Sequence, residues 1–288
     1  MYFASRMQAG RMLAAQMTRK YAGKDCAVVA LSDGGVVVGS QIALALHAPL
    51  CMMLSDEILL PRETVALAGI TSDGSFSYNH AYSDGEIDEM VGEYRGHIEQ
   101  QKLERLHRLH RDSGGGDLIR EDMLTGRYVI LVSDGLNGGF TLDLAMQYLK
   151  PVSSRGVVMV APFASVQAVD RMHVLADDLY CLNVLEDYIS TDHYYDTQDV
   201  PRHELVLKTV SRIVADWRPP HDNAEPAWAG EPAATAAKSD ESLPQSTQWA
   251  HGGARAFFRR LRQHAQVRLP ARRRFTVDDH ADAPNQSK

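Results

Sequence analysis

The stretch Tyr128-Val-Ile-Leu-Val-Ser-Asp-Gly-Leu-Asn-Gly-Gly-Phe-Thr141 decides the fold. Its first five residues are apolar, with β-branched Val and Ile among them, and have the length of a strand buried on both faces. Ser133 to Gly139 then supply turn chemistry, and an apolar-periodic segment from Phe140 to Leu149 predicts a helix. A buried strand that runs through an acid and a glycine pair into a helix start is a unit of an open α/β sheet. In such sheets ligands gather beyond the carboxyl ends of the strands, where amides at helix N-termini face outward.

The same grammar recurs on both sides. Upstream, Cys26-Ala-Val-Val-Ala-Leu31 runs into Ser32-Asp33-Gly34-Gly35, followed by a helix over 36–46 and a second buried strand over 50–54. Downstream, strands are expected over 156–161 and 179–182, with a helix over 166–173 between them and a last amphipathic helix over 204–217. Phe3, Met7, Ala14 and Met17 recur at helical spacing with Arg6, Arg11 and Arg19 between them, which predicts an amphipathic opening helix. This alternation over about 200 residues predicts a doubly wound, mostly parallel α/β domain over residues 1–218. Residues 60–82 interrupt it with a hairpin pattern around Ser72-Asp-Gly-Ser75, and Glu86 to Arg111 reads as a long polar helix ending at the glycine-rich segment 112–117, where a mobile loop is expected.

Composition bounds the rest. With 44% hydrophobic and 23% charged residues the 288-residue chain is ordinary for a globular protein, and its net charge of −7 disfavours coating of nucleic acid by the whole molecule. No stretch has the ~20 apolar residues of a membrane span, and Met1–Lys20 has no apolar signal core, so the expected compartment is the cytoplasm. Cys26, Cys51 and Cys181 sit singly in apolar runs and are expected to be structural thiols. From residue 219 the composition turns to Pro, Ala, Glu and Ser, and 219–288 is expected to be a disordered linker and tail. Within it, residues 251–275 carry eight arginines and no acid. That basic tail is open to a partner protein, nucleic acid or a membrane surface, or to the acidic remainder of its own chain.

Two loops would carry chemistry. In the second, Gly138 and Gly139 would let the backbone approach a phosphate, with Gly135, Asn137 and Phe140 shaping the turn, Thr141 adding a hydroxyl donor and Asp134 accepting from sugar hydroxyls. In the first, Asp33, Gly34 and Gly35 stand at the equivalent place. The same residue types also serve a plain strand-to-helix turn. His107 and His110, beside Arg105, Arg108 and Arg111, fit a solvated helix face better than a phosphate clamp, and His193-Tyr-Tyr195 fits either stacking on a base or packing at the sheet edge.

Several of these segments resemble the bacterial type I phosphoribosyltransferase-like proteins: the opening Phe3-Ala-Ser-Arg6, the glycine-rich loop Leu31–Gly39, the signature 128–141, Val157–Pro162 and Asp192-His-Tyr-Tyr-Asp196. The resemblance implies a core parallel sheet under a small hood built from 60–82 and neighbouring chain, and a mobile catalytic loop near 108–120. It implies transfer of a phosphoribosyl group from phosphoribosyl pyrophosphate to an unidentified acceptor, with Mg²⁺ at Asp134 as the cofactor. It also implies a small phosphoribosyl or nucleotide ligand as the partner, and is compatible with a homodimer. By this resemblance Asp134, Gly138, Gly139 and Thr141 would hold the ribose 5-phosphate region, and Gly34 and Gly35 would face the pyrophosphate. Three positions depart from the family pattern. Ser133 stands where a second acid is usual, Gly138-Gly139-Phe140-Thr141 replaces Thr-Gly-x-Thr, and Ser32-Asp33 replaces Pro-Arg. The last reverses the sign of charge at the pyrophosphate, so a nucleotide- or phosphate-binding regulatory module is the alternative expectation.

Overall fold

A computed structural model describes residues 2–113 and 118–217. The expected linker and basic tail, and the centre of the glycine-rich segment, lie outside the described residues. The chain opens with α1 (Arg6–Tyr21), whose first turn is capped by Ser5. It continues through β1 (Cys26–Ala30), α2 (Asp33–Leu46) and β2 (Leu50–Met52). A second unit follows: β3 (Ser55–Ile58), β4 (Ala68–Thr71), β5 (Phe76–Tyr78) and the long α3 (Asp84–Asp112). The chain then returns through β6 (Tyr128–Val132), α4 (Phe140–Leu149), β7 (Gly156–Ser165), α5 (Val166–Leu175), β8 (Asp178–Leu185) and α6 (His203–Asp216).

The main sheet is parallel throughout, in the order β2-β1-β6-β7-β8. β1 and all of β6 but its first residue are buried, as strands covered on both faces must be, and they form the centre of the core with α1, α2 and α4. The chain leaves β1 toward β2 and leaves β6 toward β7, in opposite directions across the sheet. The switch point therefore lies between β1 and β6, and the loops after these two strands open a crevice there.

The hood is a three-stranded antiparallel sheet, β3-β4-β5, with Ile58, Leu60, Leu67 and Ala68 packed on Ile98 of α3. The turn Thr71–Ser75 joins β4 to β5 as the hairpin pattern predicts, and Asp73 accepts from Ser75 N at 3.1 Å to hold it. β3 has no signal in the sequence, because Ser55-Asp-Glu-Ile58 has a single apolar residue. His110 lies on the exposed face of α3 and meets the Ser72 carbonyl at 2.9 Å. The cysteines are all free thiols: Cys26 and Cys51 are buried, Cys181 half-buried, and burial pushes the Cys51 thiol up to about 12. Among the described residues no helix is long and apolar enough to cross a membrane.

Candidate functional site at the switch point

Ser32 begins the site. Its backbone is extended, and its Oγ accepts from Gly35 N at 2.9 Å, so the glycine loop after β1 closes at once into the first turn of α2. The same hydroxyl donates to Asp134 Oδ1 at 2.6 Å, across the gap between β1 and β6. Gly34 lies against that carboxylate: a Cβ there would fall 1.9 Å from Asp134 Oδ2 and 2.7 Å from Arg6 Nε. Glycine is required at 34 because the helix and the acid approach so closely. Gly35 is similarly packed, with a Cβ reaching 2.8 Å from the Val132 carbonyl. Both glycines are buried in the start of α2.

Asp134 is nearly buried, and its charge is met from inside the protein. Arg6, 2% exposed, donates from Nε to Asp134 Oδ2 at 2.7 Å and from Nη2 to Asp192 Oδ1 at 2.5 Å. Its Nη1 lies 3.7 Å from Asp199 Oδ1 and makes no hydrogen bond among the described residues. The guanidinium stacks on the Tyr195 ring at 4.3 Å, and the Tyr195 hydroxyl donates to the Asp134 carbonyl at 2.6 Å. Burial pulls the Arg6 pKa down, but Asp134 and Asp192 more than offset it, and the guanidinium is held above its ordinary value. Asp199 also accepts from the Arg6 and Met7 amides at 3.2 Å each, where an acid is favoured by the N-terminus of α1.

Asp33 lines the same crevice and is paired: His203 Nδ1, from the first turn of α6, lies 2.9 and 2.8 Å from its two oxygens. Together Arg6, Ser32, Asp33, Gly34 and Asp134 border a pocket of about 380 Å³ whose far wall comes from the 190–200 segment, including Asp192.

The rest of the second loop lies outside that pocket. Ser133 turns its hydroxyl inward to the Gly135 carbonyl at 2.8 Å. Gly135 packs under Phe163 and Tyr188, Leu136 bridges to Ala164, and Ser165 Oγ donates to the Asn137 carbonyl at 2.6 Å. Beyond this anchored part, the amides of Gly138, Gly139, Phe140 and Thr141 have no hydrogen-bond acceptor among the described residues, and neither does the Thr141 hydroxyl. They stand at the N-terminus of α4, where unbonded N–H groups and the helix dipole favour an anion. Arg171 of α5 lies beside them: a Cβ at Gly139 would meet its Cγ at 2.5 Å, and its Nε donates to Asp143 at 2.6 Å. Gly138 has open space around it.

The structure thus joins Asp33, Gly34 and Asp134 in one pocket and leaves Gly138–Thr141 outside its lining. The sequence does not point to Arg6, Asp192, Asp199, His203 or Arg171 as site residues. For Arg6 a signal is present: it lies three, seven and eleven residues before Ala9, Leu13 and Met17, on the stripe that α1 buries. The Tyr194 and Tyr195 rings take the packing role, buried against Phe3 and Phe163.

A match to the phosphoribosyl transferase domain model spans residues 3–200. The chain belongs to the phosphoribosyl transferase domain family. Two Mycobacterium tuberculosis relatives, from strains CDC 1551 and H37Rv, bear the provisional name phosphoribosyl transferase and are 31% identical over 183 residues. That match covers 62% of this chain but only 40% of each relative. The crystal structure of TT1426 from Thermus thermophilus is similar in fold, with a TM-score of 0.58 and 24% identity over 75% of this chain and 99% of that one. Within this phosphoribosyl transferase domain, Asp134 accepts one hydrogen bond at each oxygen, from Arg6 and from Ser32, and no group of three or more His, Cys, Asp or Glu side chains that could hold a metal ion occurs among the described residues.

Proposed function

We propose that this domain binds a ligand through its 5-phosphoribosyl group and, in keeping with its family, transfers that group from phosphoribosyl pyrophosphate to an acceptor. The observation that carries this is the set of unbonded amides from Gly138 to Thr141, on the same loop as the ribose-side carboxylate of Asp134. Backbone donors with no internal acceptor, at a helix N-terminus, suit a phosphate monoester. Asp134 has lone pairs left for sugar hydroxyls even with Arg6 and Ser32 in place, because an ionised carboxylate accepts at about four sites. Such a transfer needs no protein nucleophile; alignment of the sugar and stabilisation of the departing charge suffice.

Calorimetric titration with ribose 5-phosphate tests the binding site. Gly138→Val is the informative variant, since Gly138 has room for a side chain whereas Gly139→Val would strike Arg171. A loss of about tenfold or more in affinity, the worth of one hydrogen bond to a charged group, is expected with the fold intact. Unchanged affinity would remove this loop from the site.

A second reading, a regulatory module that binds a nucleotide without transferring its ribose, is favoured by Asp33 and by the closed first turn of α2. Carboxylates at 33, 134 and 192 border the pocket against the guanidinium of Arg6 and the imidazole of His203. Such a charge balance opposes a pyrophosphate. Replacing Asp33 with Arg, together with His203→Ser to remove the opposing imidazole, exchanges repulsion for attraction. Each unit charge contributes on the order of 3 kcal/mol at about 5 Å before screening. Donor affinity should rise more than about tenfold after that screening. Weaker donor binding, with Mg²⁺ dependence lost, would make Asp33 a metal-linked working residue.

A further inference from the structure

The loop after β6 is gripped from one side by the junction of β7 and α5. Leu136 N donates to the Phe163 carbonyl at 3.2 Å, and the Leu136 carbonyl accepts from Ser165 N at 2.9 Å. The Ser165 hydroxyl holds the Asn137 carbonyl and also caps α5, accepting from Ala168 N at 3.1 Å. Arg171 makes the last grip. A Cβ added at Gly139 would fall 2.6 Å from the Arg171 Cβ, 2.5 Å from its Cγ and 3.5 Å from its Cδ, so the arginine stem lies directly across the loop where α4 begins.

The far end of that side chain meets a charge. Asp143 stands in the first turn of α4 and is 8% exposed. A carboxylate there is favoured by the helix dipole, and for the same reason it competes with any anion held by the amides of Gly138 to Thr141. Among the described residues the one side chain that meets Asp143 is Arg171, whose Nε donates to Oδ1 at 2.6 Å and whose Nη2 pairs with the same oxygen. Gly138-Gly-Phe-Thr141 carries no charge of its own. The sign of the field at this helix start is therefore set by the Asp143–Arg171 pair.

We propose that Arg171 is a positioning residue for the phosphate: its stem pins the loop at Gly139, and its guanidinium cancels the Asp143 charge that would otherwise repel the ligand. The inference rests on the reading of Gly138–Thr141 as the phosphate site. Breaking a buried ion pair on one side leaves the other charge uncompensated. Without Arg171 that charge is negative and lies within one helical turn of the phosphate, about 5 Å along the axis. The Arg171 side chain is 30% exposed, and a guanidinium has five N–H donors, so donors remain once Asp143 is served.

The test is calorimetric titration of the full chain with ribose 5-phosphate. Arg171→Gln should weaken binding by about tenfold or more, the worth of a charge-assisted contact. Adding Asp143→Asn to it should bring affinity back to within about threefold of native, because the uncompensated charge is gone. A purely structural role would leave the double variant no better than Arg171→Gln. Asp143→Asn alone keeps the proposal testable if Arg171→Gln does not fold: it should tighten binding by about threefold, the effect of one charge at a helix start. Native binding with an unchanged Arg171→Gln, a double variant that is not rescued, or weaker binding by Asp143→Asn would each overturn the role of Arg171 and leave the phosphate site standing. A native chain that does not bind ribose 5-phosphate would overturn both.

Discussion

Arg6 is the residue on which the site turns. A charge taken out of water costs several kcal/mol unless its partners are well placed, and Arg6 has three carboxylates and an aromatic ring around it. Its planar fork can address Asp134 and Asp192 at once, which a lysine cannot. Arg6→Ala leaves Asp134 buried with only Ser32 as a donor, and should cost about 3–5 kcal/mol in urea unfolding. Arg6→Lys should recover less than half of that. Equal stability of all three proteins would show that the network is not a structural requirement. The loss should also weaken ribose 5-phosphate binding, since Asp134 would no longer be held toward the pocket.

At the scale of elements, the decisive event is the approach of α2 to the loop after β6. The helix begins directly after Ser32, and nothing larger than a hydrogen fits between Gly34 and Asp134. Gly34→Ala should therefore destabilise the domain, by at least the 1–3 kcal/mol typical of overpacking. The neighbours here are a buried carboxylate and guanidinium with nowhere to retreat. Gly138→Ala, in open space, should stay within about 0.5 kcal/mol of the native chain. Thermal unfolding of the two variants side by side checks the contrast. If both are silent, the close packing at Gly34 is wrong.

Over the whole molecule, the two ends of the domain are tied together. Phe3 pairs with the 194–196 backbone, its ring packs under Phe163 and Tyr195, and Asp178 of β8 receives Lys20 and Tyr21 from α1. Burial opposes the Asp178 charge, but the bonds from Lys20 and Tyr21 outweigh it and hold its pKa below the usual carboxylate value. A depressed folded pKa contributes stability above the unfolded value, near 3.9, that is lost as pH falls through the folded one. Asp178→Asn should thus cost about 1 kcal/mol at pH 7, and the difference should shrink below about pH 4 and vanish in stronger acid. A gap independent of pH would mean that packing, not charge, is what the substitution removes.

The amino-acid sequence by itself determined the parallel α/β architecture, because uninterrupted apolar strands such as Val129–Val132 have only a doubly covered sheet in which to be buried. It also placed Asp33, Gly34, Gly35 and the 134–141 loop at strand ends, since turn chemistry is local. What it could not give is who meets whom. Arg6 and Asp134 are 128 residues apart and His203 and Asp33 are 170, and no local pattern records a pairing at that distance. Only the tertiary structure decided that Asp134 already has an internal cation and that Asp33 has a histidine. It decided, too, that four amides at the start of α4 were left without a partner among the described residues. Charges buried together are chosen by the packing of whole elements, and that packing exists only once the sheet has closed around its switch point.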